Sequence, residues 1–163
     1  MNALHQERNV EATLDLWALA NGPSCLETNY YSGCMVNEVR FHTKDREIRR
    51  RTQNSGLMVE GEHKGKVMEY YGFLSSVVEL TYLGDRKVIL FKCEWYDTVN
   101  RKNVKHDKHF TSIDVRSRCG KDNPFVLPIM AELVFYLNDT KDGEGLASRT
   151  KNKTPTFMGS FGA

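Results

Sequence analysis

The feature that most constrains this chain is a strand-turn-strand unit. Tyr70-Tyr71-Gly72-Phe73-Leu74 runs on to Tyr82, Leu83-Gly84-Asp85-Arg86 reverses it, and a second run extends from Lys87 to Asp97. Successive side chains on a strand point to opposite faces, so Ile89, Phe91, Cys93 and Trp95 form one apolar row. The other row, Val88, Leu90, Lys92 and Glu94, starts apolar and turns charged. That pattern suits a strand buried on both sides at its start and solvated at its end. In the first run strict alternation puts Leu74, Val78, Leu80 and Tyr82 on one face, and Phe73 and Val77 on the other. Glycine reaches positive φ at no steric cost, which favours a tight reversal at Gly84-Asp85. An antiparallel hairpin is expected, with a parallel pair around an unrecognised element as the alternative.

Around this unit the remaining apolar segments are short. Val10, Leu14 and Trp17 recur at helical spacing between Asn9 and Ala20, before Asn21-Gly22-Pro23 ends the run. Val36–Phe41 and Leu57–Glu60 are weaker strand candidates on either side of a charged segment, His42–Arg51. A polar loop follows the hairpin from Thr98 to Lys108, and Phe110–Val115 alternates as a strand. Pro128 suits the start of a single helical turn, and Leu133–Leu137 reads as a last strand. The fold class expected is therefore mostly β: a small antiparallel curled sheet or barrel of five to six strands with one N-terminal helix. Residues 9–139 form the expected single domain, between a flexible start over 1–8 and a flexible polar tail over 140–163.

At 163 residues, 40% hydrophobic, the chain can bury one real core. A formal charge of +2 gives no whole-molecule attraction for a polyanion, so such a case must rest on local clusters. No apolar run approaches the roughly 18 residues of a membrane span. The start, Met1–Glu11, lacks the apolar core of a secretory signal, which leads to an expectation of a soluble intracellular protein. Cys25, Cys34, Cys93 and Cys119 contain no C-x-x-C pair, so a zinc ribbon or redox motif has no support and buried free thiols are expected.

Several separated clusters then fall into one order. They are Leu19-Ala20-Asn21-Gly22-Pro23, Asn37 with Arg40-Phe41-His42-Thr43, Arg51-Thr52-Gln53-Asn54-Ser55-Gly56, Tyr70-Tyr71-Gly72, Glu79-Leu80-Thr81-Tyr82, Phe91 through Asp97, Asp122-Asn123-Pro124-Phe125, and Val134-Phe135-Tyr136 with Asp139. In this order the chain, from about Leu16 to Asp139, resembles the plant domain of unknown function that lies C-terminal to the transposase region of En/Spm-like DNA transposons. Relatives look glutamine-rich where this chain has Ile129-Met130-Ala131-Glu132-Leu133, and continue into a tryptophan-containing strand where it has Gly143, Gly145 and a polar tail. The resemblance implies a transposon-derived, nuclear plant protein, here a stand-alone or truncated copy, and brings no assigned active site.

The candidate contact residues are polar and basic. Lys44, Arg46, Arg49, Arg50 and Arg51, offset by Asp45 and Glu47, leave a local +3 that would neutralise phosphates and make binding salt-dependent; a solvated charged loop gives the same letters. Gln53 and Asn54, in Thr52-Gln53-Asn54-Ser55-Gly56, either contact nucleic acid directly or build a tight turn with Gly56 at positive φ. A second basic stretch holds Arg101, Lys102, Lys105 and Lys108, with Arg116, Arg118 and Lys121 beyond, and is expected to merge with the first if both reach one sheet edge. Tyr70, Tyr71 and Tyr96 are the rings of an alternative, a Tudor-like aromatic pocket for a protein tail, with Trp95 buried and Tyr96 exposed by row position.

Other chemistry has weaker support. His106 and His109 lack further metal ligands at a recognisable spacing, and no metal or other cofactor is expected. Glu94, Asp97, Asp107, Asp114 and Asp122 are carboxylates without a phosphate loop or nucleophile elbow, so no enzymatic activity is expected. The leading expectation is an accessory module binding DNA or chromatin proteins, and a degenerate copy without selected function is the bland alternative.

Overall fold

The computed structural model describes residues 10–24, 28–108, 110–119, 124–138 and 145–149. Along the chain they form α1 (Val10–Ala20), β1 (Asn29–Tyr31), β2 (Gly33–Val36), β3 (Val39–His42), α2 (Lys44–Glu47), β4 (Gly56–His63), β5 (Lys66–Tyr82), β6 (Arg86–Trp95), β7 (Val104–His106), β8 (Thr111–Ile113), β9 (Phe125–Val126), β10 (Glu132–Asn138) and β11 (Gly145–Arg149). Short 3-10 turns at Arg101–Asn103 and Pro128–Met130 complete the list, the second starting on the expected proline. The expected flexible start over 1–8 lies outside the described residues.

The hairpin is the spine of the molecule. β5 and β6 pair antiparallel from Gly72–Trp95 to Tyr82–Arg86, and Gly84 and Asp85 reverse the chain with φ of +74° and +56°. The sheet runs β7-β8-β11-β10-β4-β5-β6-β9, with β1 lying beside β5 as a ninth strand, while β2 and β3 form a separate ribbon. Gly72 permits the closest backbone approach inside it, since a Cβ there would stand 2.9 Å from the Trp95 ring and harder still against the Glu94 carbonyl.

Two cores lie on opposite faces of this sheet. Leu57, Val59, Leu74, Val77, Phe91, Cys93 and Leu133 face the β2–β3 ribbon and bury Cys34 and Phe41 against it. Met58, Tyr71, Phe73, Tyr96 and Val134 gather with Ile113 on the other side. Ile113 belongs to β8, separated from β5 by three strands in the sheet order, so the β7-β8-β11 wing must curl over that face. The chain leaving β8 returns to β6, where Asp97 N–H donates to the Ser117 carbonyl and Cys119 N–H to that of Trp95, each at 2.9 Å. A single bridge, Tyr96 with Arg118, joins them there rather than a ladder, and the sheet curls without closing.

Mostly antiparallel β structure with an N-terminal helix is thus the architecture, and barrel closure is not. The strand count exceeds five to six because several strands have only two to four residues, too short for a periodic signal. Within the expected strand Val36–Phe41, Asn37 and Glu38 take φ of +48° and +65°, making a hairpin turn between β2 and β3. β7 occupies part of the expected polar loop, and β11 lies inside the expected polar tail, pairing with β10 and β8.

The row Ile89, Phe91, Cys93 and Trp95 faces the first core as its alternation requires, but Trp95 is only half-buried there. Tyr96, expected to be exposed, is buried instead at 9% exposure. The curled wing covers the face that a flat sheet would leave to water, and Tyr96 meets the Tyr136 ring edge-on at 5.6 Å. Cys34 and Cys93 are buried free thiols, with burial pushing Cys93 up to about 12, whereas Cys119 is exposed. Among the described residues no helix is long and apolar enough to cross a membrane.

Candidate nucleic-acid interface

The basic segment is short, exposed at its rim and fixed at its base. Thr43 begins α2, a single turn, and Glu47 N–H donates back to the Thr43 carbonyl at 3.0 Å. Glu47 is buried among cations because its carboxylate has a full set of donors: Lys44 Nζ at 2.8 Å on Oε1, with Asn54 N–H at 2.9 Å and Ser55 N–H at 2.8 Å on Oε2. Burial pushes its pKa up, and the bonds from Lys44 and Ser55 outweigh this and hold it below the usual carboxylate range. The carboxylate therefore ties α2 to the start of β4, and the turn carrying Arg49, Arg50 and Arg51 lies between those fixed points.

Arg49, Arg50 and Arg51 are exposed, and among the described residues no carboxylate pairs with them. Lys44 is exposed but engaged with Glu47, while Arg46 folds back to donate to Ser32 Oγ at 3.3 Å. The free positive charge of this segment thus sits on its last three arginines.

Gln53 and Asn54 lie at the same place and are internally engaged. Gln53 acts as a pseudo-strand residue, its Nε2 donating to the Tyr136 carbonyl and its Oε1 accepting from Tyr136 N–H, both at 3.0 Å. Asn54 Nδ2 donates to the Arg40 carbonyl at 2.7 Å, and the Asn54 carbonyl accepts from His42 N–H at 2.8 Å. Ser55 is buried and its carbonyl accepts from Leu74 N–H at 2.8 Å. Gly56 does not take positive φ; it is required because a Cβ would press on the Val134 carbonyl and stand 2.8 Å from the Tyr136 ring. The motif is a clasp between β3, β4 and β10 rather than a self-bonded turn.

The second basic stretch lies elsewhere. Arg101 and Lys102 are exposed on a 3-10 turn and Lys105 sits on the edge strand β7, with β8, β11 and β10 between β7 and β4. The two stretches thus occupy different parts of the fold, one at the edge strand β7 and the 3-10 turn before it, the other in the segment leading into β4. Arg116 pairs with Asp114 at 3.1 Å. Arg118 pairs with Glu94 at 2.6 Å and lies 4.8 Å over the Phe73 ring. Lys121 lies outside the described residues.

The aromatic pocket does not form. Tyr70 and Tyr71 are neighbours on a strand and point to opposite faces. Tyr71 is buried with its hydroxyl on Glu69 Oε2 at 2.6 Å, Tyr96 is buried beside Tyr136, and Tyr70 lies over Gly61. Three rings converging on an open cavity are what a cage requires; here Tyr71 and Tyr96 are packed inside the second core and Tyr70 lies on the opposite face of the sheet.

Among the described residues no three His, Cys, Asp or Glu side chains are grouped to hold a metal ion. His106 Nδ1 lies 3.2 Å from Thr111 Oγ1, and His109 and Asp122 lie outside the described residues. The other carboxylates have local tasks. Asp97 accepts from Asn103 Nδ2 and Asn100 N–H, Asp107 from Lys108 N–H, and Asp114 from Arg116, whose bonds hold its carboxyl below the usual range.

Two residues of this region were not among the sequence candidates. Nothing in the periodicity distinguishes buried Glu47 from a solvated helix-face acid, since its burial depends on amides seven and eight residues away. His42 was visible only as part of a cluster, and its enclosure depends on α2 folding over β2 and β3.

Fold and site together define an open, curled antiparallel β domain carrying a clasped basic loop. Residues 78–147 match the model of a family described as a domain of unknown function, DUF4216. That span runs from inside β5 to β11, so the basic loop lies before it. No curated protein and no solved structure matches the chain.

Proposed function

We propose that this chain is a non-catalytic accessory domain that binds nucleic acid by phosphate contact through the segment Lys44–Arg51. The observation that carries the reading is the contrast between the base of the loop and its rim. Glu47, Gln53 and Asn54 fix the base with hydrogen bonds, while Arg49, Arg50 and Arg51 face solvent without a carboxylate partner among the described residues. A loop fixed at its base presents these arginines together, and each planar guanidinium matches phosphate oxygens in pairs. With Gln53 and Asn54 engaged internally, the contacts fall on the backbone of the nucleic acid and carry no base readout.

The resemblance to the domain beside En/Spm-like transposases supports a transposon-derived plant origin and a nuclear setting in which DNA is the abundant polyanion. Binding is measured with a labelled duplex across a salt series. Substituting Arg49, Arg50 and Arg51 together by Glu is expected to weaken binding at low salt by about 100-fold and to reduce the slope of log affinity against log salt by about 3. Unchanged affinity and slope in that variant would refute the reading.

A further inference from the structure

Beside the exposed arginines lies a more enclosed arrangement. Alternation along β3 sends Phe41 into the core and places Arg40 and His42 on the opposite face. Across the ribbon His42 is paired with Gly33, where a Cβ would stand 2.9 Å from Arg46 Nη1 and 3.2 Å from His42 Cδ2. Glycine at this position therefore lets the guanidinium and the imidazole lie side by side.

His42 is 3% exposed, and its Nδ1 is fully enclosed with no hydrogen-bond partner. Buried polar atoms nearly always have a partner, and one left without beside the Arg46 guanidinium needs a reason. Burial, then Arg46, Arg50 and Arg40, holds the ring below its usual pKa, with Glu47 in partial opposition. These are the charged groups acting on the ring: Arg40 from β3, Arg46 and Glu47 from α2, and Arg50 from the turn beyond. β2 contributes uncharged Gly33, and Ser32 just before it contributes a hydroxyl.

We propose that Arg40, Arg46 and Arg50 form a seat for one phosphate group of a nucleic acid, with His42 beneath it taking up a proton from solvent as the phosphate arrives. This rests on the nucleic-acid reading only for the source of the phosphate. At 3.3 Å the bond of Arg46 to a neutral serine hydroxyl is long, and a phosphate oxygen offers the guanidinium a charged acceptor at shorter distance. An anion there cancels the field that disfavours imidazolium, and the protonated ring gains a counter-charge. Binding is then coupled to proton uptake and tightens as pH falls through the raised midpoint of the bound ring.

The test is an NMR pH titration of the His42 ring in the full chain, assigned by its loss in His42→Gln. It is run with no addition, with inorganic phosphate, and with a short DNA duplex with or without a 5′-phosphate. The His42 midpoint is expected to rise by about one unit with phosphate or duplex, and the rise should vanish in Arg46→Gln/Arg50→Gln, whose changes are on the surface. Equal response to both duplexes assigns the seat to internal phosphodiesters, and response to the phosphorylated duplex alone assigns it to strand ends. If a duplex binds while His42 stays put, the seat is overturned and the nucleic-acid reading stands. If no duplex binds but inorganic phosphate moves His42 in the wild type alone, the seat stands without that reading. If neither moves it, the seat is overturned.

Discussion

Phe91→Ala is expected to destabilise the protein by about 3–5 kcal/mol, read as a lower urea midpoint at unchanged slope. Phe91 is 0% exposed and meets the Phe41 ring edge-on at 5.1 Å, so its removal opens a cavity between the β5–β6 spine and the β2–β3 ribbon. Neither neighbour can collapse into it easily. β6 is held in register by β5 along its length, and β3 is tied to the clasp through the bonds of His42 and Asn54. A loss below about 1 kcal/mol would mean that the ribbon is not seated on this face of the sheet.

Glu47→Ala is the second large effect expected, about 2–4 kcal/mol, because it leaves the amides of Asn54 and Ser55 without their acceptor. The Glu47 carboxylate also shapes the pH dependence of stability. The Glu47 carboxyl is held below its ordinary 4.5, so its contribution is complete above that value and is lost as pH falls through the folded value. His42 is held below its ordinary 6.5, so the unfolded chain takes the proton first and stability declines once pH drops below 6.5. The acid limb of a stability-against-pH curve therefore begins with His42 and steepens with Glu47. Glu47→Gln is expected to remove the lower part and keep the upper, and His42→Gln the reverse; urea denaturation followed by circular dichroism over pH reads both. Identical acid limbs in wild type and Glu47→Gln would contradict the role given to this carboxylate.

What the sequence shows about this fold follows from the range over which each signal acts. The β6 row from Ile89 to Trp95 was legible because ten paired residues keep strict alternation. The partner strand was misread at one point, since the register shifts between Leu74 and Ser76 and thereby sets Leu74 and Val77 on one face. A bulge leaves no mark in a period-two pattern except its failure. Tyr96 is buried against its row-based expectation because the returning β8 wing covers its face, a contact made by residues more than fifteen positions away, while Trp95 on the other face is half-buried.

The site divides in the same way. Arg49, Arg50 and Arg51 announce themselves as an exposed cluster by composition alone. The internal engagement of Gln53 with Tyr136 crosses 83 residues, and no local rule distinguishes it from a free recognition amide. The clasp and the enclosure of His42 both depend on one turn of helix folding over a ribbon, which four residues of sequence do not specify.

The most direct test of this account is a map of backbone amide shifts as a short DNA duplex is titrated into the full chain at low salt. The account predicts that the largest changes fall between residues 40 and 51 and fade as salt is raised. Changes confined to the exposed Phe125–Met130 edge or to the turn at Arg101–Asn103, or the absence of any change, would contradict it.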